Sequence, residues 1–232
     1  LIDITNGNMN ADNETLQFVE QLKEEVSGKG NFVIGHSDVD LMIYDSEGNR
    51  IVRKQETNIG DFCADALRSF TDADIAMVNG GGIRTNIKRG EILFNDLYNV
   101  MPFGDMIATG TFYGEQLLDV LEFAVSALPT EAGTFMQVSG LRFTVDPDIP
   151  SPAMKDTETG MYSHVGEGER RVSHVEILDK QSGEYKAVEL SRQYTIATLD
   201  YLILEQGGSG ILSCVKPDSI YWGADIEVLR HY

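Results

Sequence analysis

Cysteine is scarce in this chain: Cys63 and Cys214 are the only two in 232 residues. Their spacing fits no metal motif. Cys63 falls on the apolar face of an expected helix and reads as a buried free thiol. A disulfide to Cys214 stays open, because sequence cannot place the two side chains together. Long apolar runs are lacking too, and none approaches the roughly 18 residues of a membrane-spanning helix. Basic residues are few, 18 against 37 acidic, for a net charge of −19. Such a surface repels polyanions and argues against a nucleic-acid-binding scaffold. The four histidines, His36, His164, His174 and His231, are scattered, with no His-Glu-x-x-His pair among them. There is no Gly-x-Ser-x-Gly elbow and no Gly-x-x-x-x-Gly-Lys-[Ser/Thr] loop. His36, in Gly-His-Ser-Asp, is the best acid or base, although a strand-end histidine also has an ordinary structural reading. Asp38 and Asp40 alternate as on a solvated strand face. The chain reads as built to bind, with nothing evident that reacts.

What is present fits one large domain or two small ones. A 42% hydrophobic content is globular, and 232 residues suffice to bury a core. The few cations concentrate: residues 50–89 hold seven basic side chains against five acidic ones. A small anion has its best partners there. The chain begins at Leu1 without a charged or apolar leader and reads as a piece cut from something longer.

Periodicity predicts an amphipathic helix over 12–27, strands over 32–36 and 39–44, and a turn at 46–49 with a strand returning at 51–53. Residues 58–70 place Ile59, Phe62, Cys63, Ala66, Leu67 and Phe70 on one helical face, capped by Thr57 or Asn58. Ile75–Val78 follows as a short buried strand. Further expectations are a strand at 92–94, a brief helix capped by Asn95, a strand at 106–113 and a helix over 114–128. A strand at 141–145, a hairpin of 172–178 with 185–190, a strand at 194–198 and a helix near 224–230 complete the set. Residues 147–169 lack periodicity and form an unusually long loop. They read as a mobile surface hairpin, the alternative being a functional excursion. The mixture without strict alternation predicts an α+β or mixed-sheet fold with helices packed on the sheets.

The stretch Asn79-Gly80-Gly81-Gly82-Ile83-Arg84 carries the most information. Three glycines remove every side chain that would hold a ligand off the backbone, and they allow positive φ. Their amides then face an anion, and Arg84 adds a planar fork. The plain alternative is a turn between strands. A second glycine-rich loop, 206–210, lies far away in sequence. Phe103 and Tyr201 stand beside structural breaks. Two arginines, Arg53 and Arg84, with two flat rings would make a nucleotide site, since a stacked base contributes about 1–3 kcal/mol. Each alone has a duller reading: Phe103 as core, Tyr201 as strand packing, Arg53 as a surface ion pair.

Thr57-Asn58-Ile59-Gly60, Asp65-Ala66, Asn79 to Arg84, Pro102-Phe103-Gly104 and Gly207-Gly208-x-Gly210, in this order, resemble the C-terminal domain of the 5′-nucleotidases. That family includes UDP-sugar hydrolases and 2′,3′-cyclic-nucleotide phosphodiesterases. The resemblance runs from about residue 12 to 230. It implies that residues 1–30 are a linker and helix from an upstream domain, and 31–232 the substrate-binding domain. It implies a partner, an N-terminal metallophosphoesterase domain of the same chain, holding two divalent metal ions and performing hydrolysis outside the cytoplasm. This segment would hold no metal and no catalytic residue. Arg53, Asn79 and Arg84 would contact a nucleotide or nucleoside, Gly81 and Gly82 would let the backbone approach it, and Phe103 and Tyr201 would stack on the base. At Ser209 the family usually has an aspartate, which binds the ribose hydroxyls. A hydroxyl gives one hydrogen bond where a carboxylate accepts from both hydroxyls. That leaves open a non-nucleotide ligand such as a sulfur compound, or a binding module without catalysis.

Overall fold

Thr57 starts the longest described helix, α1 (Asn58–Thr71), by accepting the Gly60 N–H on its hydroxyl. Asp72, in the left-handed region at φ 53°, ends it. Ile59, Cys63, Ala66 and Leu67 are fully buried at the expected helical spacing, while Phe70 stays 39% exposed. The computed structural model describes residues 13–15, 17, 18, 20, 21, 30–204 and 209–232. The described residues of the expected 12–27 helix are helical and exposed, and its remainder lies outside the described residues.

The core is a five-stranded mixed sheet in the order β12-β4-β11-β2-β5. Its strands are β2 (Ile75–Asn79), β4 (Met106–Tyr113), β5 (Met136–Ser139), β11 (Gln193–Leu199) and β12 (Lys216–Ala224). Only β2 and β11 pair in parallel, Ile75 opposite Ile196; the other pairs are antiparallel. Ile75 to Val78 are buried on both faces, as a central strand in a covered sheet requires. Helix α1 and the short α5 (Asp225–His231) pack together beside the sheet. Helix α3 (Gly114–Val125) packs between β4, β5 and a second, three-stranded sheet, β10-β9-β6. That sheet comprises β6 (Leu141–Val145), β9 (Val172–Leu178) and β10 (Tyr185–Ala187). Two antiparallel strand pairs complete the described fold: β1 (Val33–Ser37) with β3 (Gly90–Leu93), distant in sequence, and the hairpin of β7 (Ala153–Lys155) with β8 (Tyr162–Val165). The fold class is α+β, as the mixed pattern predicts.

The register gathers several chain segments at one end of the large sheet. Asn79, the last residue of β2, pairs with Met136, the first of β5. Leu199, the last of β11, pairs with Ile107 near the start of β4. The carboxyl ends of the parallel pair therefore share one sheet edge with the residues just before β4 and β5. In open α/β sheets this end is where ligands settle.

Some expectations fail for local reasons. Residues 39–44 form two isolated bridges, Leu41 with Ile87 and Tyr44 with Arg50, and 51–53 is a turn. Side chains replace the ladder there: Asn58 and Asn86 accept the Met42 and Ile43 N–H groups. Helix α2 (Phe94–Val100) starts two residues earlier than an Asn95 cap implies: Leu93 is the N-cap, and Asp96 accepts its N–H. Helix α3 stops at Val125. Arg171, buried, gathers the carbonyls of Val125, Ser126 and Leu128 there. Cys63 and Cys214 are both free thiols, so no disulfide joins them. Burial pushes the Cys214 thiol up to about 11.

Candidate functional site

The sheet end described above opens into a cavity of about 630 Å³. Arg53, Asn79, Gly81, Gly82, Arg84, Phe103, Tyr201 and Ser209 all line it. These are the eight positions picked out from the sequence.

The glycine loop forms one wall, by a route different from the expected one. None of Gly80, Gly81 and Gly82 has positive φ. Their amides do not face the cavity as an anion cradle: they donate to Phe135 O at 2.7 Å, Gly133 O at 3.0 Å and Asn79 O at 2.9 Å. Close approach is what requires glycine. A Cβ on Gly80 would lie 2.1 Å from Val52 O and 3.3 Å from Arg53 Cα. A Cβ on Gly81 would meet Gly133 backbone at 2.9 Å. The triplet thus brings β2 against the 51–54 turn and presses Arg53 beside Arg84.

Arg53 forms no ion pair among the described residues, and its buried Nε has no partner. Burial, then the neighbouring Arg50 and Arg84 guanidinium groups, pulls its pKa below the usual arginine value. Buried Oδ1 of Asn79 likewise has no partner, while its Nδ2 donates to Gly133 O at 3.3 Å. Buried polar groups are nearly always hydrogen-bonded, so two such atoms on residues lining one cavity mark a surface made for a polar ligand. Arg84 donates to Gly81 O at 2.9 Å and lies over the Phe103 ring, 5.8 Å from its centroid.

Two aromatic rings reach the same cavity from the segments that precede β4 and follow β11. Phe103 sits in the break after α2 and is 61% exposed. Tyr201 lies on the short helix α4 (Asp200–Ile203) directly after β11 and is 38% exposed. The core reading of Phe103 and the strand-packing reading of Tyr201 therefore fall. One carboxylate ties their segments together: Asp200 Oδ1 accepts the Met106 N–H at 3.0 Å and the Tyr201 N–H at 2.8 Å.

A model of the 5′-nucleotidase, C-terminal domain, matches residues 33–216. The chain belongs to this family. Its relatives include the trifunctional nucleotide phosphoesterase protein YfkN of Bacillus subtilis, 37% identical over 56% of this chain and 9% of that protein. A 5′-nucleotidase of Vibrio parahaemolyticus is 33% identical over 59% of this chain and 24% of its own length. Among solved structures, the 5′-nucleotidase precursor of Thermus thermophilus superposes with a TM-score of 0.76 at 26% identity, covering 94% of this chain and 39% of that one. The chain thus spans less than half the length of each of these relatives.

Within this 5′-nucleotidase C-terminal domain, the described residues contain no group of three or more His, Cys, Asp or Glu that could hold a metal ion. His36 is on the exposed strand β1, 3.7 Å from Asp38, outside the cavity lining. Asp40 accepts the Arg89 N–H, which with Lys88 holds its carboxyl below the usual range, a loop-fastening arrangement.

The 147–169 excursion contributes more than its irregular sequence implies. Its β7–β8 hairpin places Lys155 and Tyr162 in the cavity lining. Tyr162 is buried, stacks on Phe123 with centroids 5.0 Å apart, and its amide donates to Ser209 O at 2.7 Å. Only the aromatic at 162 hinted at this anchoring. The second glycine loop is described only at Ser209 and Gly210; residues 206–208 lie outside the described residues.

Proposed function

We propose that this domain binds the nucleoside part of a nucleotide, and that the complete protein hydrolyses nucleoside monophosphates or related nucleotides. One observation carries the reading. Two exposed rings, Phe103 and Tyr201, come from separate segments to the same cavity as Arg53 and Arg84, neither of which forms an ion pair among the described residues. A flat base between rings with an anion at paired guanidinium groups is the ligand chemistry such a wall suits. In this reading Asn79 gives its free oxygen to a ligand donor, Gly81 and Gly82 allow close contact, and Ser209 faces the sugar.

Bond cleavage in this proposal belongs to a metallophosphoesterase domain upstream of residue 31, with two divalent ions, outside the cytoplasm. The relatives named as 5′-nucleotidases support the hydrolase class. Calorimetry with adenosine and AMP tests the binding claim. No heat at millimolar ligand, together with turnover by the complete protein that ignores Phe103→Ala, would sink it.

Ser209 favours a second reading. A neutral hydroxyl in place of a carboxylate leaves room for a non-nucleotide ester. A panel of phosphoesters and sulfur esters given to the complete protein separates the two, since the first reading requires a nucleotide to be turned over best.

A further inference from the structure

We propose that Lys155 is a specificity-determining residue of this cavity: it takes a second phosphoryl group on the bound nucleotide, so that nucleotides with two phosphoryl groups are preferred to those with one. The inference rests on the nucleotide reading above.

The cavity lining reverses the charge of the chain. Its charged residues are Arg53, Arg84 and Lys155 against Asp105 alone, in a protein of net charge −19. None of the three cations forms an ion pair among the described residues. They also arrive by two routes. Arg53 and Arg84 are neighbours on the glycine-loop wall, close enough that Arg84 contributes to the lowered pKa of Arg53. Lys155 comes from the β7–β8 hairpin, the part of the 147–169 excursion that contributes Lys155 and Tyr162 to the cavity lining. One phosphoryl group engaged by the two arginines leaves that second cationic point without an anion.

The hairpin holds Lys155 in place. Lys155 and Tyr162 are cross-strand partners, and the ammonium lies 4.6 Å from the centre of the Tyr162 ring. Such a face attracts a cation and fixes a side chain that is otherwise free to wander. Tyr162 is itself anchored three ways: its ring on Phe123, its hydroxyl 2.5 Å from Ser126 Oγ, and its amide on the Ser209 carbonyl. The ammonium is therefore carried on the same support as Ser209, which also lines the cavity. The second phosphoryl group is either further along a chain, as in a nucleoside diphosphate, or on the sugar, as in a nucleoside bisphosphate. The shared chemistry is a phosphate dianion within reach of an amine.

Calorimetry on the complete protein, with divalent metals chelated to stop turnover, compares AMP, ADP and adenosine 3′,5′-bisphosphate at low salt. At least one of the two doubly phosphorylated ligands is expected to bind roughly tenfold tighter than AMP. Which one does so tells chain from sugar. Lys155→Gln should bring that ratio to near one, and Lys155→Arg should keep most of it. The exposed position of Lys155 leaves the melting temperature as a check on folding. No advantage for either ligand overturns the inference, as does an advantage that Lys155→Gln leaves intact. If AMP binds and Phe103→Ala weakens it while the ratio ignores Lys155, only this inference fails. If AMP does not bind at all, the nucleotide reading fails with it.

Discussion

The Arg84 guanidinium lies 5.8 Å from the centre of the Phe103 ring while donating to the Gly81 carbonyl at 2.9 Å. One side chain thus links the glycine loop to an aromatic face that is 61% exposed. A planar, delocalised cation makes both contacts at once. Arg84→Lys keeps the charge and loses the fork. It is expected to weaken AMP binding roughly tenfold, and adenosine binding much less, because the missing geometry acts on the phosphate. Parallel titrations with the two ligands check this. An equal loss for both would place Arg84 against the nucleoside instead.

Gly80 sets the distance between β2 and the turn that carries Arg53. A methyl at this position would stand 2.1 Å from Val52 O, which is backbone and cannot swing aside. Gly80→Ala is expected to cost about 2 kcal/mol or more of stability and to displace Arg53. Gly35→Ala is the control, with nothing within 4 Å of the added methyl. Urea unfolding of the two variants gives the comparison. A Gly80→Ala protein as stable as Gly35→Ala would show that the turn yields freely.

Much of this was legible in the residues. The 3.6-residue rhythm of Ile59 to Leu67 and the Thr57 cap write α1 directly. The Asn79–Arg84 stretch marked one wall of the cavity, though its glycines serve packing instead of offering amides. The segments that escaped were those whose structure depends on partners far away in sequence. Met136–Ser139 is too short to show a period, and it is a strand only because β2 lies beside it. Lys155 and Tyr162 sit in an irregular, Pro- and Gly-rich stretch, and only the docking of Tyr162 on Phe123 turns them toward the cavity. Lys216–Ala224 pairs with β4 through two register shifts, which blur its alternation.

Gln137 is another residue whose place could not be read from its neighbours. It is 1% exposed. Its Nε2 donates to Val52 O at 2.9 Å and Gln55 O at 2.8 Å, and its Oε1 accepts the Thr57 N–H at 3.1 Å. One amide therefore fastens the Arg53 turn to the start of α1. Gln137→Leu fills similar space and leaves a donor and two acceptors without their partner. A loss of about 2–4 kcal/mol is expected, with ligand affinity falling as the Arg53 turn loosens. Chemical denaturation measures the first part. A cost under about 1 kcal/mol would mean that solvent reaches these groups.

Asp225 makes stability depend on pH. The residue is fully buried at the start of α5. Its Oδ1 accepts the Ile226 N–H at 2.7 Å, and its Oδ2 has no partner among the described residues. Burial foremost, with the Asp105 and Asp200 charges adding to it, raises its pKa from 3.8 to about 6. The folded state therefore prefers the neutral acid. The stabilisation this gives is present in full below the ordinary carboxylate pKa and disappears as pH rises through about 6. Asp225→Asn keeps the acceptor and cannot ionise. Relative to the native protein, its stability should rise by on the order of 2–3 kcal/mol between pH 4 and pH 7.5. Asp61, also raised to about 6 by burial and by Glu56 and Asp65, is unchanged in both proteins and cancels in the difference. Urea unfolding of both proteins across this range decides the matter: a difference that stays flat from pH 4 to pH 7.5 would show that Asp225 does not titrate within it.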